Sequence, residues 1–418
     1  MNTKTFPLLL LLAGLPLFAK AAPVVIDTVP VRDAGNTTDT SGYGKVLYEY
    51  RIGRFEITIG QYIEFLNAVA ATDTHGLYHL GMESEAAVAG VSRSGTAGSY
   101  VYAAIGNPDR PIALVSWFDA ARFANWMSNG QPVGLQSPTT TEDGAYTLLP
   151  PFNHVGFVKN AINPNTGRPP LWWIPSEDEW YKAAYYNPTR NGGAGGYHFY
   201  PIQSPLDNVP YSAGAGGATS PDASLAGNFR RDDGIANGYN DGYAITGSPV
   251  YPTSNALAKV GSYGLASTYY GTFDQGGNVL EITDGIVNSG GTLYRAARGG
   301  SWFDDESIMR STFRLNLNPD TEAVGIGFRL ATVERTTQRI RFATPRRSQL
   351  GVGSRFTLGV SSTSGLPVTV TSSDRRVLSV RGLSAKVKRA GRVILTASQA
   401  GDEFSLPATN VSKRVRIR

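Results

Sequence analysis

Apolar residues recur at helical spacing in three places along the first half of the chain, and each run is opened by a residue able to cap a helix. Thr58 stands three positions before Gln61, a capping-box pattern, ahead of IGQYIEFLNAVA, where Tyr62, Phe65, Leu66 and Val69 fall on one face. Ser116 opens WFDAARFANWM, and Asn129-Gly130 supplies a stop suited to a left-handed C-terminal residue. Ser176 with Glu179 repeats the capping box before EWYKAAYY, which Pro188 closes. Beyond residue 354 the period changes from helical to two. Phe356, Leu358 and Val360 alternate with polar neighbours, as do Val393, Leu395 and Ala397, within short segments separated by turn residues. That pattern predicts several short strands and a β-sandwich. Between the two regimes, residues 191–251 are rich in Gly, Asn, Ser and Tyr, a length of loop that a compact domain has to tie down.

The N-terminus reads as a secretory signal. Lys4 precedes an apolar run from Phe6 to Phe18, and Ala19-Lys20-Ala21 gives an A-x-A cleavage site. The run is too short for a bilayer-spanning helix, and no later stretch approaches the ~18 apolar residues that one needs. The expected organisation is a signal peptide over 1–21, an α+β module over 22–333 and an all-β module over 334–418. The mature chain is then exported, secreted or periplasmic, and not integral to the membrane.

Composition sharpens this in two respects. The chain has no cysteine, although export would permit disulfides, so stability has to come from its cores or from a bound metal. Charge is also divided: residues 335–418 carry 17 Lys/Arg against 3 Asp/Glu, leaving 21 against 30 elsewhere, a balance of +14 facing −9. Two modules with different surfaces are implied, the second suited to an anionic surface polymer. Neither a phosphate-binding glycine loop nor a nucleophile elbow nor a zinc spacing is present, and nothing points to nucleic acid. His75 and His79 have i,i+4 spacing, but Gly76 and Gly81 make that stretch a loop and not a helix that presents ligands.

Five strings carry a resemblance to the formylglycine-generating enzyme, or sulfatase-modifying factor, family: YRIGRFEITIGQYIEFLNAV, PIALVSWFDAARFANWM, WWIPSEDEWYKAAYY, GTFDQGGNVLEITDG and the block from Arg298 to Ala331 beginning RGGSW and ending in GFR. They occur in the family's order over most of residues 46–331. The resemblance implies an irregular, loop-rich α+β fold related to C-type lectin-like domains. The tail, with SQAGDEFSLPA, looks like a bacterial immunoglobulin-like module.

In the active enzymes two cysteines after RGGSW bind copper and oxidise a substrate cysteine; here those positions are Asp304 and Met309. A hard carboxylate and a neutral thioether do not replace two thiolates, so copper and the family reaction are not expected. The scaffold would then serve binding, with a ligand pocket walled by Trp302, Phe303, Asp304 and Met309 beside Arg310, for a polysaccharide or a protein. An enzyme working from a non-cysteine centre is the alternative. The resemblance also implies calcium, at Asn228, Phe229, Asp241 and Tyr243 and again at Gly277, Val279 and Glu281. Oxygen donors on irregular loops suit that ion, while loop capping by Asp241 and Glu281 is the competing role. Arg329 of GFR is expected to be structural.

Overall fold

A computed structural model describes residues 23–148, 157–204, 207–402 and 404–418. The expected signal peptide lies outside the described residues. Three helices of nine residues or more occur among those described, each where the apolar spacing places it: α1, Ile59–Val69; α2, Trp117–Ser128; and α3, Glu177–Tyr185. All three begin with reciprocal capping boxes. In α1 the Gln61 amide donates to Thr58 Oγ1 at 3.2 Å and the Thr58 amide to Gln61 Oε1 at 3.0 Å. Ser116 with Asp119 and Ser176 with Glu179 do the same for α2 and α3. Such a cap stabilises a helix by about 1 kcal/mol, chiefly by satisfying amides that have no partner within the helix. Helix α2 ends at Asn129, with Gly130 at φ +82°.

Tyr62, Phe65, Leu66 and Val69 are buried, as the helical spacing of α1 requires. Phe65 meets Phe123 of α2 edge-on at 5.2 Å, and Phe123 meets Phe328 at 5.6 Å, so both helices close on the GFR segment. Two four-stranded sheets complete this part. One runs Thr28–Val31, Tyr50–Gly53, Ala331–Val333, Trp172–Trp173, all antiparallel, and brings residue 333 back beside residue 50. The other is ordered Leu315–Leu317, Thr292–Arg298, Leu280–Ser289, Ile326–Gly327, the last pair parallel.

Residues 340–417 build a separate apolar core around Leu378, Val387, Leu395 and Val415. Two antiparallel three-stranded sheets enclose it: Arg355–Thr357, Ser384–Val387, Leu378–Arg381, and Thr369–Ser372, Gly391–Gln399, Ala408–Ile417. Val393, Leu395 and Ala397 point inward as the alternation requires. The segment RFTLGVSS is not one strand, however. It breaks at Leu358-Gly359, so that Arg355–Thr357 pairs with Ser384–Val387 while Val360–Ser362 pairs with Ile340–Phe342. The break puts the buried Leu358 into the core from the corner between sheets.

Candidate functional site

The RGGSW segment leaves the end of the long hairpin at Arg298, whose side chain is almost wholly buried. Its Nε donates to Glu177 Oε1 at 2.7 Å, and its Nη1 reaches the carbonyls of Ser311 and Phe313 at 2.9 and 2.8 Å, pinning the far end of the loop. Gly299 is at φ +98°, where a Cβ would stand 2.5 Å from the Gln275 carbonyl, so glycine is required.

Trp302 is fully buried, its Nε1 donating to the Val324 carbonyl at 3.0 Å, with Tyr243, Tyr251 and Phe303 around its ring. Asp304 closes a turn: its Oδ2 accepts from the Ser301 amide at 2.9 Å and from Ser301 Oγ at 2.6 Å, and burial pushes its pKa up while those bonds pull it down. Met309 is 1% exposed and packs in an apolar cluster with Tyr200, Phe229 and Leu225. Phe303, 37% exposed, and Arg310, which donates to Tyr200 Oη at 3.3 Å and lies over Phe199, reach the surface. Of the five residues expected to wall a pocket, Trp302 and Met309 are thus buried, while Phe303, Asp304 and Arg310 keep some exposure. Trp302 and Met309 belong to two different cores, and Asp304 is held by its own turn.

The two expected calcium sets differ in how well they fit the ion. In the second, Glu281 is fully buried and both its oxygens are bound by Arg329, Nε and Nη2 each at 2.6 Å, while Trp180 Nε1 adds a third bond at 2.8 Å. A guanidinium already occupies the face that a dication would need, so Glu281 serves as the partner of Arg329 and this set does not fit. Gly277, at φ +88°, lies where a Cβ would stand 2.4 Å from the Asn228 carbonyl, and Val279 is in the main core. Arg329 also donates to the carbonyls of Gly53, Arg54 and Phe273, the structural role expected of it.

In the first set, Asn228 donates through Nδ2 to the Ala256 carbonyl and to Asn278 Oδ1, and its own Oδ1 accepts no bond from the described residues. The Phe229 and Gly242 carbonyls converge on Ser212 Oγ at 2.5 and 3.2 Å. Asp241 accepts from the Asn237 and Gly238 amides at 3.2 and 2.7 Å, and the Tyr243 carbonyl accepts from the Gly247 amide. This loop therefore carries hard oxygens on facing strands, with Asp241 also acting as a cap.

Sequence reasoning missed Asn278, which donates to Glu56 Oε1 at 3.1 Å and accepts from Asn228 and the Ala258 amide. It also missed Asp274, whose pKa burial pushes up to about 6. Among the described residues no group of three or more His, Asp or Glu side chains is arranged to hold a metal.

An open cleft lies elsewhere, at the start of α2. A cavity of about 460 Å³ is lined by His75, Ser116, Phe118, Asp119, Arg122, Phe157, Asp320 and Glu322. It shares Phe118, Phe157 and Asp320 with a neighbouring cavity of about 590 Å³ that reaches Tyr294 and Arg295. Asp119 is the capping-box residue of α2, and Glu322 hydrogen-bonds it. Burial, then the Asp119 charge, pushes Glu322 up to about 8, and burial raises Asp119 as well. Two adjacent carboxylates in a half-buried site cannot both ionise readily, which favours the neutral acid at Glu322. Arg122 is held by Glu142 through two bonds of 2.8 and 3.1 Å. His75 Nε2 stands 3.5 Å from Glu142 Oε2, and burial lowers its pKa. His79, 3.9 Å from Glu322 Oε2, lies on the outer side. The histidines are on a loop, as the glycines around them require, but that loop forms the rim of a polar cleft. Only Ser116, as the residue that opens α2, was visible beforehand, since Glu322 arrives from a distant segment.

The sulfatase-modifying factor enzyme 1-like domain, as a family model, matches residues 33–333. No curated protein matches the chain. Among solved structures it is similar to CarF (20% identity, 74% of this chain and 99% of that one, TM-score 0.41). It is similar also to Treponema denticola variable protein 1 (15% identity, 73% and 95%, TM-score 0.38) and to PvdO from Pseudomonas aeruginosa (18% identity, 75% and 92%, TM-score 0.36). With the family model spanning most of the chain, and a mixed α/β fold of few helices and many short strands beneath it, this protein belongs to the sulfatase-modifying factor enzyme 1-like domain family.

Proposed function

We propose that the protein is an exported binding member of its family that does not generate formylglycine, with its ligand site in the cleft beside α2 and a tail of the bacterial immunoglobulin-like kind. The observation that carries this reading is the state of Asp304 and Met309. At the two positions where the family resemblance expects copper-binding thiols, one side chain closes a turn on Ser301 and the other packs in a core. The chain has no cysteine with which to replace them. Thiol-based oxidation needs a soft anionic donor that also cycles, and neither residue supplies one. The cleft, by contrast, offers what a recognition site needs: two aromatic walls, an adjacent carboxyl pair, a serine and a histidine around one cavity. Among the described residues no helix is long and apolar enough to cross a membrane.

A second reading, a non-cysteine enzyme, draws on the same cleft. Asp119, Glu322 and His75 have displaced pKa values within one cavity, a pattern that also marks acid–base sites.

Two measurements test the proposal. Incubation with a cysteine-containing sulfatase peptide and copper is expected to leave the peptide mass unchanged; conversion to formylglycine would overturn the reading. A panel of polysaccharides and proteins is expected to yield a ligand whose binding falls in both Glu322→Gln and Phe118→Ala. Undiminished binding in both variants would remove the ligand from the cleft, and turnover of a bound compound would favour the enzyme.

A further inference from the structure

The outer face of the sheet Thr369–Ser372, Gly391–Gln399, Ala408–Ile417 holds an arrangement that a fold does not adopt for stability. Arg392 lies directly opposite Arg416 in the antiparallel register, and Ile394 directly opposite Arg414. All three arginines are exposed, and none has an ion pair or a side-chain hydrogen bond among the described residues. Opposed residues on one face of such a pair have Cβ atoms about 4.5–5.5 Å apart, and diagonal neighbours about 7–8 Å, so like charges there repel. Arg414 and Arg416 are on the edge strand, where basic side chains also guard against strand addition. Arg392 is on the central strand but past the end of its pairing with Thr369–Ser372, which stops at Leu395, so it faces Arg416 alone. The other sheet repeats the motif with Arg355 opposite Lys386, both exposed.

Beside the arginines runs a line of hydroxyls across all three strands. Thr371 opposes Thr396, and Thr396 opposes Ser412, with Thr396 Oγ1 and Ser412 Oγ 3.0 Å apart. Ile394, 42% exposed, is the large apolar residue among the arginines. Among the described residues the face stays exposed at Arg392, Ile394 and Arg414, while Arg416 borders a cavity with Leu350 and Gly351. The tail meets the first module through the turn after Gln399, where Asp402 pairs with Arg168 and Leu406 lines a cavity with Leu171 and Trp172. Arg392 and Arg416 lie at the opposite end of those strands, about 20 Å away at the usual rise per residue.

We propose that this face, centred on Arg392, Arg414 and Arg416, binds a linear acidic polysaccharide, the guanidinium groups taking its carboxylates or sulfates and the hydroxyl row its sugar oxygens. The proposal deepens the reading of the chain as an exported binding protein and rests on it for the identity of the polymer. Arginine forks pair with planar or tetrahedral oxyanions in two bonds, and three unpaired charges spread over two neighbouring strands suit a polyanion that can meet several of them at once better than a small ion. A lipid surface is disfavoured because the contact face lacks the aromatic or leucine side chains that insert between headgroups.

The test uses the purified full-length protein and four probes: polygalacturonate, dextran sulfate, neutral dextran and phosphatidylglycerol vesicles. The wild type is expected to bind the two acidic polysaccharides, to ignore neutral dextran and to elute as salt rises. Substituting Arg392→Gln, Arg414→Gln and Arg416→Gln together is expected to weaken binding by about fivefold per arginine, the usual worth of a basic residue at an anionic surface. A control carrying Arg339→Gln, Arg346→Gln and Arg375→Gln removes the same charge and is expected to bind nearly as well as wild type. Relief of repulsion should leave the first variant melting no lower than wild type; if it does melt lower, the single substitutions Arg392→Gln and Arg416→Gln are read instead. Equal losses in both triple variants, absence of wild-type binding, or binding to the vesicles alone would each overturn the proposal. Because the polymers are added to purified protein, a failure of the export reading would leave these outcomes unchanged, and a failure here would leave the cleft intact.

Discussion

Arg329 and Glu281 show how one residue's role is fixed by what surrounds it. Both side chains have zero exposure and meet in a two-point ion pair. Removing one partner of a buried pair strands the other charge, at a cost of about 3–5 kcal/mol. Arg329→Met is therefore expected to lower the unfolding free energy by that amount in urea denaturation, and Glu281→Gln by a similar one; a loss below about 1 kcal/mol, as for an exposed pair, would contradict the geometry. Glu322 makes the opposite case, since its environment favours the neutral acid. Its pKa rises from 4.5 to about 8 on folding, so the folded state holds the extra proton between those values. The contribution is fully present below the unfolded pKa and is lost as pH rises through the folded one. Melting temperature should accordingly carry a component that falls from about pH 5 to about pH 8. Glu322→Gln should flatten that component, and an unchanged slope would remove the Asp119–Glu322 pair as its source.

At the scale of elements, the helices were legible because their signals are local. Thr58, Ser116 and Ser176 cap within three residues of themselves, and that chemistry survives any tertiary arrangement. The long loop was legible as a loop but not in how it is tied. Ser212 and Asn240 cross-link it internally, through the Phe229 carbonyl and the Ser212 amide, and Asn228 ties it to the Ala256 carbonyl and to Asn278. Were the calcium that the family resemblance implies bound, Asn228 Oδ1, the Phe229 carbonyl and Asp241 of this loop would be its donors, and not Glu281. At a free calcium concentration a hundredfold above Kd, the ion would add about 2.7 kcal/mol of stability. Chelation is then expected to lower the melting temperature of the wild type and to leave Asp241→Asn, a variant with one anionic donor fewer, nearly unaffected. No response of the wild type would take calcium out of the reading altogether. The strand break at Leu358-Gly359 was not visible, because alternation continues unbroken through a corner where the pairing partner changes.

For the whole molecule, charge and core divide at the same place. Residues 340–417 have their own apolar cluster, and the excess of basic residues lies in the same stretch of the chain. The first module closes on itself by pairing residues near 50 with residues near 333, and the same closure brings Glu322 to the start of α2. Trp302 and Met309 of the expected pocket are packed, while the open cleft is assembled from the His75 loop, the first turn of α2 and the segment after residue 317.

The sequence by itself determined the helices and their caps, the alternation of the tail, the charge asymmetry, the absence of thiols and the family, because each depends on neighbouring residues or on strings kept in order. Only the tertiary structure decided which carboxylates are ion-pair partners, which lie against another carboxylate and which face a cavity. Those properties depend on burial and on partners far away in the chain. Glu281, on the strand Leu280–Ser289, meets a buried guanidinium, and Glu322, in a loop, meets Asp119; both partners come from distant segments that the local sequence does not reveal.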